Sequence, residues 1–498
     1  MDYTKQEKHF LSYMKEIESY NEALSLMFWD LRTNAPKKSV SLSSETIGFL
    51  SQKVHQLSTS EQMKGYIEDL KGTTENPIIK RAIFECEKEY NRNMKIPNEE
   101  YKEYVQLQTK SEAVWEEAKE KSDFKMFQPY LQRLVDFNIK FANYWGYDNH
   151  IYDALLDLYE PGVTVDVLDD VFPTLQNSIK PLLEAVINSP YKPDTSSILV
   201  NFPRENQKAF SEEVLRQMGY DFHAGRLDET VHPFMVSLNP KDVRVTTRYN
   251  EQDFRIAVFG TIHEGGHALY EQNLDEKLYG TPLASGTSNG IHESQSLFWE
   301  NFIARSEPFW NQQFDILKKY APASISSMSK YDFYRAINEV KPSFIRVEAD
   351  EMTYSLHIML RYELEKALIS GEISVNDLPS LWNEKMDKYL GIRPKNDQEG
   401  VLQDVHWAGG SFGYFPSYAL GYMYGAQFLH AMNEQFQVNH AVENNDLRKI
   451  QQWLSDNIHK HGKMKKPLEI LHDVTGEGLN PDYLVDYLKY KYKDIYQF

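Results

Sequence analysis

The sequence predicts a mostly helical protein, one large body of two lobes with a small β-sheet beside a helix that carries metal-binding side chains. Glycine (24) and proline (21) are sparse for 498 residues. Apolar residues recur mainly at helical spacing, and a single stretch gathers β-branched and aromatic residues around a turn. With 41% hydrophobic and 26% charged residues, the chain can bury a sizeable core and is not a wholly disordered one.

The first helical region spans residues 1 to about 147. Phe10, Leu11, Met14, Ile17 and Leu24 form one apolar stripe, and Tyr101, Tyr104, Val105, Leu107, Val114 and Trp115 another; both are expected to pack between antiparallel helices. Pro97 and Asn98 place a turn and an N-cap before the second. Turns follow at Pro161-Gly162 and through Ser189, Pro190, Pro193 and Asp194, and a further helix is expected near 205–218. Residues 234–238 and 243–249 then read as strands, joined by the turn chemistry of Asn239, Pro240, Lys241 and Asp242. Helical patterning resumes to Phe498, interrupted by a loop around 394–400 and a glycine- and aromatic-rich stretch over 409–425. No linker-like segment divides the chain, so 1–498 is expected to be one domain, with approximate lobes at 1–200 and 201–498.

Lysine and arginine number 54 against 73 aspartates and glutamates, a formal charge of −19 spread along the chain. Such a surface repels phosphate backbones and anionic lipid, so neither nucleic acid nor membrane is an expected partner. No apolar run is long enough to span a bilayer, and the opening MDYTKQEKHF lacks the apolar core of a signal peptide, which predicts a cytoplasmic protein. Cys86 is the only cysteine. A disulfide framework and a thiolate zinc cluster are thereby excluded, and any metal must be taken by nitrogen and oxygen.

His263-Glu264-Gly265-Gly266-His267 is an H-E-x-x-H in a helix-patterned segment directly after the hairpin. Histidines four apart share one helix face, so both imidazoles can reach one metal ion while the glutamate sits to the side, near a water. Zinc there would acidify the water and polarise a carbonyl, and Glu264 would pass the proton to a leaving amine. Gly260, Gly265 and Gly266 each cost a helix about 1 kcal/mol relative to alanine, which implies a close neighbour to that backbone. A third ligand must come from elsewhere. Glu271 lies eight residues from His263, roughly 12 Å along the axis, too far to share the ion, so at best it supports a ligand. The next helix, expected after Ser288-Asn289-Gly290 and running to Arg305, offers Glu293, Glu300 and His292. Spacing does not choose among them, although the glutamate-type zincin pattern favours a carboxylate.

Six ordered motifs make the choice through a resemblance. They are His232-Pro233-Phe234, Asp242 to Thr246 with Arg244, His263 to His267, His292-Glu293-Ser294-Gln295, Ile345-Arg346 to Ala349-Asp350, and Gly400 to Trp407 with Gln403, Asp404 and His406. Over essentially its whole length the chain resembles the thermostable-type, carboxypeptidase Taq-like metallocarboxypeptidases, the thirty-second metallopeptidase family. The resemblance implies Glu293 as third ligand and release of single residues from free C-terminal ends of peptides. It further implies a saddle-like helical subunit with a deep groove, a homodimer, and one divalent ion per subunit, zinc or cobalt.

A terminal carboxylate suits arginine's planar fork. Of Arg244, Arg248, Arg305, Arg346 and Arg361, the preferred candidate is Arg346, with a salt bridge to Asp350 as its rival role. His406, Tyr414 and Tyr418, on a glycine-loosened backbone open to substrate, are candidate donors to a developing oxyanion. His232 is a candidate substrate contact. Asp242 is a candidate carboxylate behind a metal-ligating histidine, with an Arg244 pair as the alternative. Two other readings share these motifs: an oligoendopeptidase, and a helical scaffold whose metal is structural.

Overall fold

The computed structural model describes residues 3–498. The chain opens with α1 (Lys5–Thr33), α2 (Val40–Ser58), α3 (Glu61–Leu70) and α4 (Pro77–Met94). Local chemistry sets their starts: Thr4 and Glu7 exchange side-chain to backbone bonds at the head of α1, and Asn76 caps α4 with Pro77 as its first residue. Phe10, Met14 and Ile17 of the first predicted stripe meet Met63, Ile67, Ile79 and Ile83 in a small core of their own.

Then follow α5 (Asn98–Lys121), α6 (Phe124–Trp145), α7 (Asp153–Leu156), α8 (Val165–Asn188) and α9 (Arg204–Met218). The sheet comprises β1 (Leu227–Glu229), β2 (Met235–Asn239) and β3 (Asp242–Thr247), and beyond it lie α10 (Arg255–Gln272) and α11 (Asn289–Leu297). The C-terminal half is built from α12 (Glu307–Leu317), α13 (Ala323–Ser326), α14 (Lys330–Ile337), α15 (Tyr354–Ile369), α16 (Leu378–Leu390), α17 (Pro416–Asn433), α18 (Val438–Glu443), α19 (Leu447–Asn457), α20 (Pro467–Thr475) and α21 (Asp482–Tyr496). Most buried apolar residues from Leu107 to Tyr496 form one continuous core, while Leu278 and Leu283 join the smaller one. Within residues 1–200, α1 to α4 supply the smaller core and α5 to α8 the larger. Phe172 of α8 packs edge-on to Tyr362 of α15, and Ser189 donates to the carbonyl of Tyr496, so the chain just before 200 is welded to its far end.

The predicted hairpin is present, β2 and β3 pairing antiparallel with Met235 opposite Val245. The strand order is β1-β3-β2, with β1 parallel to β3. Three residues reading Leu-Asp-Glu carry no alternation, so β1 has no sequence signature. The sheet lies against α10, where Thr247 donates to the carbonyl of Ala257 over 3.2 Å.

The second predicted stripe is only partly core. Leu107 is buried, Trp115 half-buried, but Tyr101 and Val105 are exposed, and Pro97 rather than Asn98 occupies the cap of α5. That face instead grips a loop: Tyr104, Gln108, Trp115 and Lys119 donate to the carbonyls of Gly410, Gly409, Leu402 and Gln403. The stretch over 409–425 interrupts the helices only as far as Phe415, and α17 runs through the rest. No helix among the described residues is long and apolar enough to cross a membrane.

Candidate active site

Packing on α10 brings the site together. A Cβ at Gly266 would stand 2.5 Å from the carbonyl oxygen of Gln295, and one at Gly421 of α17 would stand 2.7 Å from Cβ of Glu293. Helix α11 is thus wedged between glycines of two neighbours, which puts Glu293 opposite His263 and His267. Gly265 likewise makes way for Leu215 of α9, whereas Gly260 faces open space. What the glycines of α10 admit is protein, not ligand.

One ligand atom each from His263, His267 and Glu293 lie within 4.8 Å of one another. Oε2 of Glu293 stands 3.4 Å from Nε2 of His267 and 3.8 Å from Nε2 of His263. Ligands bonded at about 2.1 Å in a tetrahedral site sit about 3.4 Å apart, so this donor set fits one divalent ion. Its electrostatics agree. Burial opposes a charged Glu293, yet the two histidines hold its carboxyl below the usual range. Burial also opposes a charged His263, but Glu293 and Glu300 outweigh it and raise the imidazole to about 10. Burial drives His267 down to about 4. The carboxylates thus favour a positive charge at His263, while burial disfavours one at His267.

Each histidine is backed at Nδ1. That of His263 lies 2.9 Å from Oε2 of Glu300, whose other oxygen accepts from Arg305 over 2.8 Å. Burial works against the Glu300 charge, but the His263 bond and Arg305 lower its carboxyl to about 2. Glu300 sits in a π-helical segment (Phe298–Ala304) that continues α11, a widening typical of functional sites. Nδ1 of His267 lies 2.7 Å from Nδ1 of His292, whose Nε2 is 3.0 Å from Oε1 of Glu271. The three side chains that spacing left open as third ligand are therefore all present, one facing the Nε2 atoms and two behind the rings. Glu264, buried on the same helix, has its carboxyl raised to about 7 by burial, against the pull of His263.

Arg346, His406, Tyr414 and Tyr418 form a second cluster. Nε and Nη2 of Arg346 both donate to Oδ1 of Asp404 at 3.0 Å, and Arg361 donates to Oδ2 at 2.7 Å. Gln403 Oε1 accepts from both residues. Two buried guanidiniums share one carboxylate, so the cluster carries a surplus positive charge. The Arg346 guanidinium lies 4.7 Å from the Tyr418 ring centre, and Tyr418 OH is 3.2 Å from Nε2 of His406. Burial, reinforced by Arg346, pushes His406 down to about 3 and keeps it neutral. Tyr414 and Tyr418, both raised chiefly by burial, feel the charges of Glu293 and Arg346 alike, which joins the two clusters.

Three candidates lie elsewhere. Asp350 does not pair with Arg346: it accepts the backbone N–H groups of Lys341 and Thr353, because the segment is a short turn and not the continuous helix that an i+4 bridge needs. Asp242 does not stand behind a metal-site histidine. It pairs with Arg244 through two bonds of 2.7 and 2.8 Å at the hairpin end, and Glu300 and His292 fill the place proposed for it. His232 is exposed in the loop before β2, while its neighbour Phe234 is tied to Thr246. The glycines at 410 and 413 make room for Tyr104 and Leu155 rather than for substrate. One contributor had no sequence signal. Glu160, fully buried between α7 and α8, accepts from Ser288, Gly290 N–H and Tyr424, and so seats the first turn of α11.

Known proteins resemble this chain along its length. Residues 9–492 match the family model described as carboxypeptidase Taq (M32) metallopeptidase. The chain is 56% identical over 493 residues to carboxypeptidase 1 of Bacillus subtilis, covering 98% of each. It is 39% identical to thermostable carboxypeptidase 1 of Thermus thermophilus, again over 98% of each. The crystal structure of an M32 carboxypeptidase from Deinococcus radiodurans superposes with a TM-score of 0.97 at 33% identity, covering 99% of this chain and 100% of that one. The chain belongs to the carboxypeptidase Taq (M32) metallopeptidase family and is a metallocarboxypeptidase.

Proposed function

We propose that this enzyme releases single residues from free C-terminal ends of peptides at a centre where His263, His267 and Glu293 hold one divalent ion, zinc or alternatively cobalt. When bound, such an ion supplies Lewis acidity to the scissile carbonyl and to water. Glu264 takes the proton of the attacking water and returns it to the leaving amine, a role suited to a carboxyl raised to about 7. The observation that carries exopeptidase action is the surplus charge where Arg346 and Arg361 share Asp404. In this reading Arg346 receives the terminal carboxylate, and His406, Tyr414 and Tyr418 offer donors to the developing oxyanion. His232, exposed, would meet substrate only at the rim. Resemblance to the family further supports a homodimer, which sedimentation would test, and the lone Cys86 suits a reducing, cytoplasmic setting.

The deciding experiment digests one peptide in unblocked and C-terminally amidated form, read by mass spectrometry, before and after chelation and metal return. Sequential single-residue loss from the unblocked peptide alone is expected. Internal cleavage indifferent to amidation would establish an endopeptidase instead. The metal-loaded Glu264→Gln variant is expected to lose about 10²–10⁴-fold in rate, and a wild-type rate at full occupancy would remove Glu264 from the reaction.

A further inference from the structure

We propose that His292 and Glu271 are positioning residues that fix which nitrogen of His267 faces the metal; this rests on the reading of His263, His267 and Glu293 as ligands. Nε2 of His267 points toward Glu293 at 3.4 Å, and a ligating nitrogen must offer its lone pair. The ring proton is then on Nδ1, 2.7 Å from Nδ1 of His292. That nitrogen must accept, so His292 carries its own proton on Nε2 and donates it to Oε1 of Glu271 at 3.0 Å. Glu271 ends the chain as a carboxylate and also accepts the Gly286 N–H over 2.8 Å. With the lone pair of His267 Nε2 given to the ion, a proton on Nδ1 of His292 would meet the Nδ1 proton of His267 head-on. Under that condition one arrangement of protons satisfies all three side chains.

The row is mechanically confined as well. Glu271 is buried, and the Tyr270 ring lies 5.0 Å from that of His292. A Cβ on Gly286 would stand 2.6 Å from Cδ2 of His292, so the loop rests on the ring and stops it swinging. The two ligand histidines are consequently supported differently. His263 leans directly on the Glu300 carboxylate, whereas the His292 ring is interposed between His267 and Glu271. Retention of the ion on the His267 side then depends on an acceptor at one atom of His292.

Metal release to a competing chelator, with zinc as the probe and no substrate present, tests this. His292→Phe keeps a ring but no acceptor and is expected to release zinc 10–100-fold faster than wild type. His292→Asn places an amide oxygen near the lost Nδ1 and is expected to stay within about threefold of wild type. His292→Gln, whose amide lies one bond farther out, should resemble the Phe variant. Thermal unfolding of each metal-free variant identifies any that fails to fold, and Glu271→Gln, expected to release zinc several-fold faster, supplies a second perturbation away from His292. Wild-type release from folded His292→Phe, or equal release from the Asn and Phe variants, overturns the proposal. His267→Ala separates the two readings: if it leaves zinc release unchanged the metal centre itself is misassigned, and if it strips the ion while His292→Phe does not, only the positioning role falls.

Discussion

Gly421→Ala inserts one methyl group between α17 and α11. Its Cβ would stand 2.7 Å from Cβ and 2.9 Å from Cγ of Glu293, and 2.9 Å from the carbonyl oxygen of Gly290. Carbon atoms in contact prefer roughly 3.5–4.0 Å, so α11 must yield by about 0.8 Å or Glu293 must turn. Metal bonds tolerate displacements of only about 0.2 Å. Overpacking of this kind costs about 1–3 kcal/mol, and alanine returns about 1 kcal/mol of helix propensity. The metal-free protein should therefore lose no more than about 2 kcal/mol of stability, while zinc affinity falls at least tenfold, about 1.4 kcal/mol. Competition with a chromophoric chelator reads the affinity, and thermal unfolding without metal reads the stability. Gly260→Ala is the control: on α10 its Cβ meets nothing within 4 Å, so it should stabilise slightly and leave the affinity alone. Zinc affinity within twofold of wild type in Gly421→Ala would refute the claim that α17 holds Glu293 in place.

Arg346→Met should lower kcat/KM for unblocked peptides about 10²-fold and narrow the gap to amidated ones, since Arg361 keeps Asp404 paired; an unchanged gap would assign the carboxylate to another group. Lys491→Met strands Glu351 in the interior, where it also meets Tyr487 and Tyr492, and should destabilise by about 3–5 kcal/mol, most of it recovered on adding Glu351→Gln. Glu365, fully buried and bonded by Tyr152, Trp407 and the Gly413 N–H, has its carboxyl raised by burial to about 7. Its unfolded value is about 4.3. The folded form therefore binds the proton more tightly, and its contribution to stability, complete below about 4.3, is lost as pH rises through about 7. Glu365→Gln should flatten the pH dependence of unfolding between about pH 5 and pH 8, and an unaltered profile would contradict that titration.

What the sequence disclosed was local. His263 and His267 announce themselves because a one-turn spacing needs no knowledge of the rest of the chain, and the hairpin because its turn and β-branched runs are contiguous. Glu293, Glu300 and His292 were found as a set but not as roles, since roles depend on how α11 crosses α10, which Gly266 and Gly421 decide from 27 and 128 residues away from Glu293. Asp242 was misplaced because an i+2 arginine on the same strand face claims it first. Glu160 left no trace at all: a lone acid after a short helix looks solvated until Ser288, Gly290 and Tyr424 close over it. β1 was illegible for a different reason: its pairing with β3 runs through backbone bonds such as that from Val245 N–H to the carbonyl of Arg226, helped by the Tyr220 hydroxyl, which donates to the carbonyls of Arg226 and Val243.

The wedge that holds α11 bears on how the enzyme comes off the ribosome. Its two ligand helices are complete by Leu297, yet Gly421 lies more than a hundred residues downstream. Later still comes His459, whose Nε2 stands 2.8 Å from the Gln295 side chain, two residues beyond Glu293. A nascent chain can display the imidazoles long before anything clamps the carboxylate that completes the set. On the proposed ligand set, ion capture is expected only at the end of synthesis, and a polypeptide cut short after the hairpin and α11 is expected to hold metal loosely, however intact its motif.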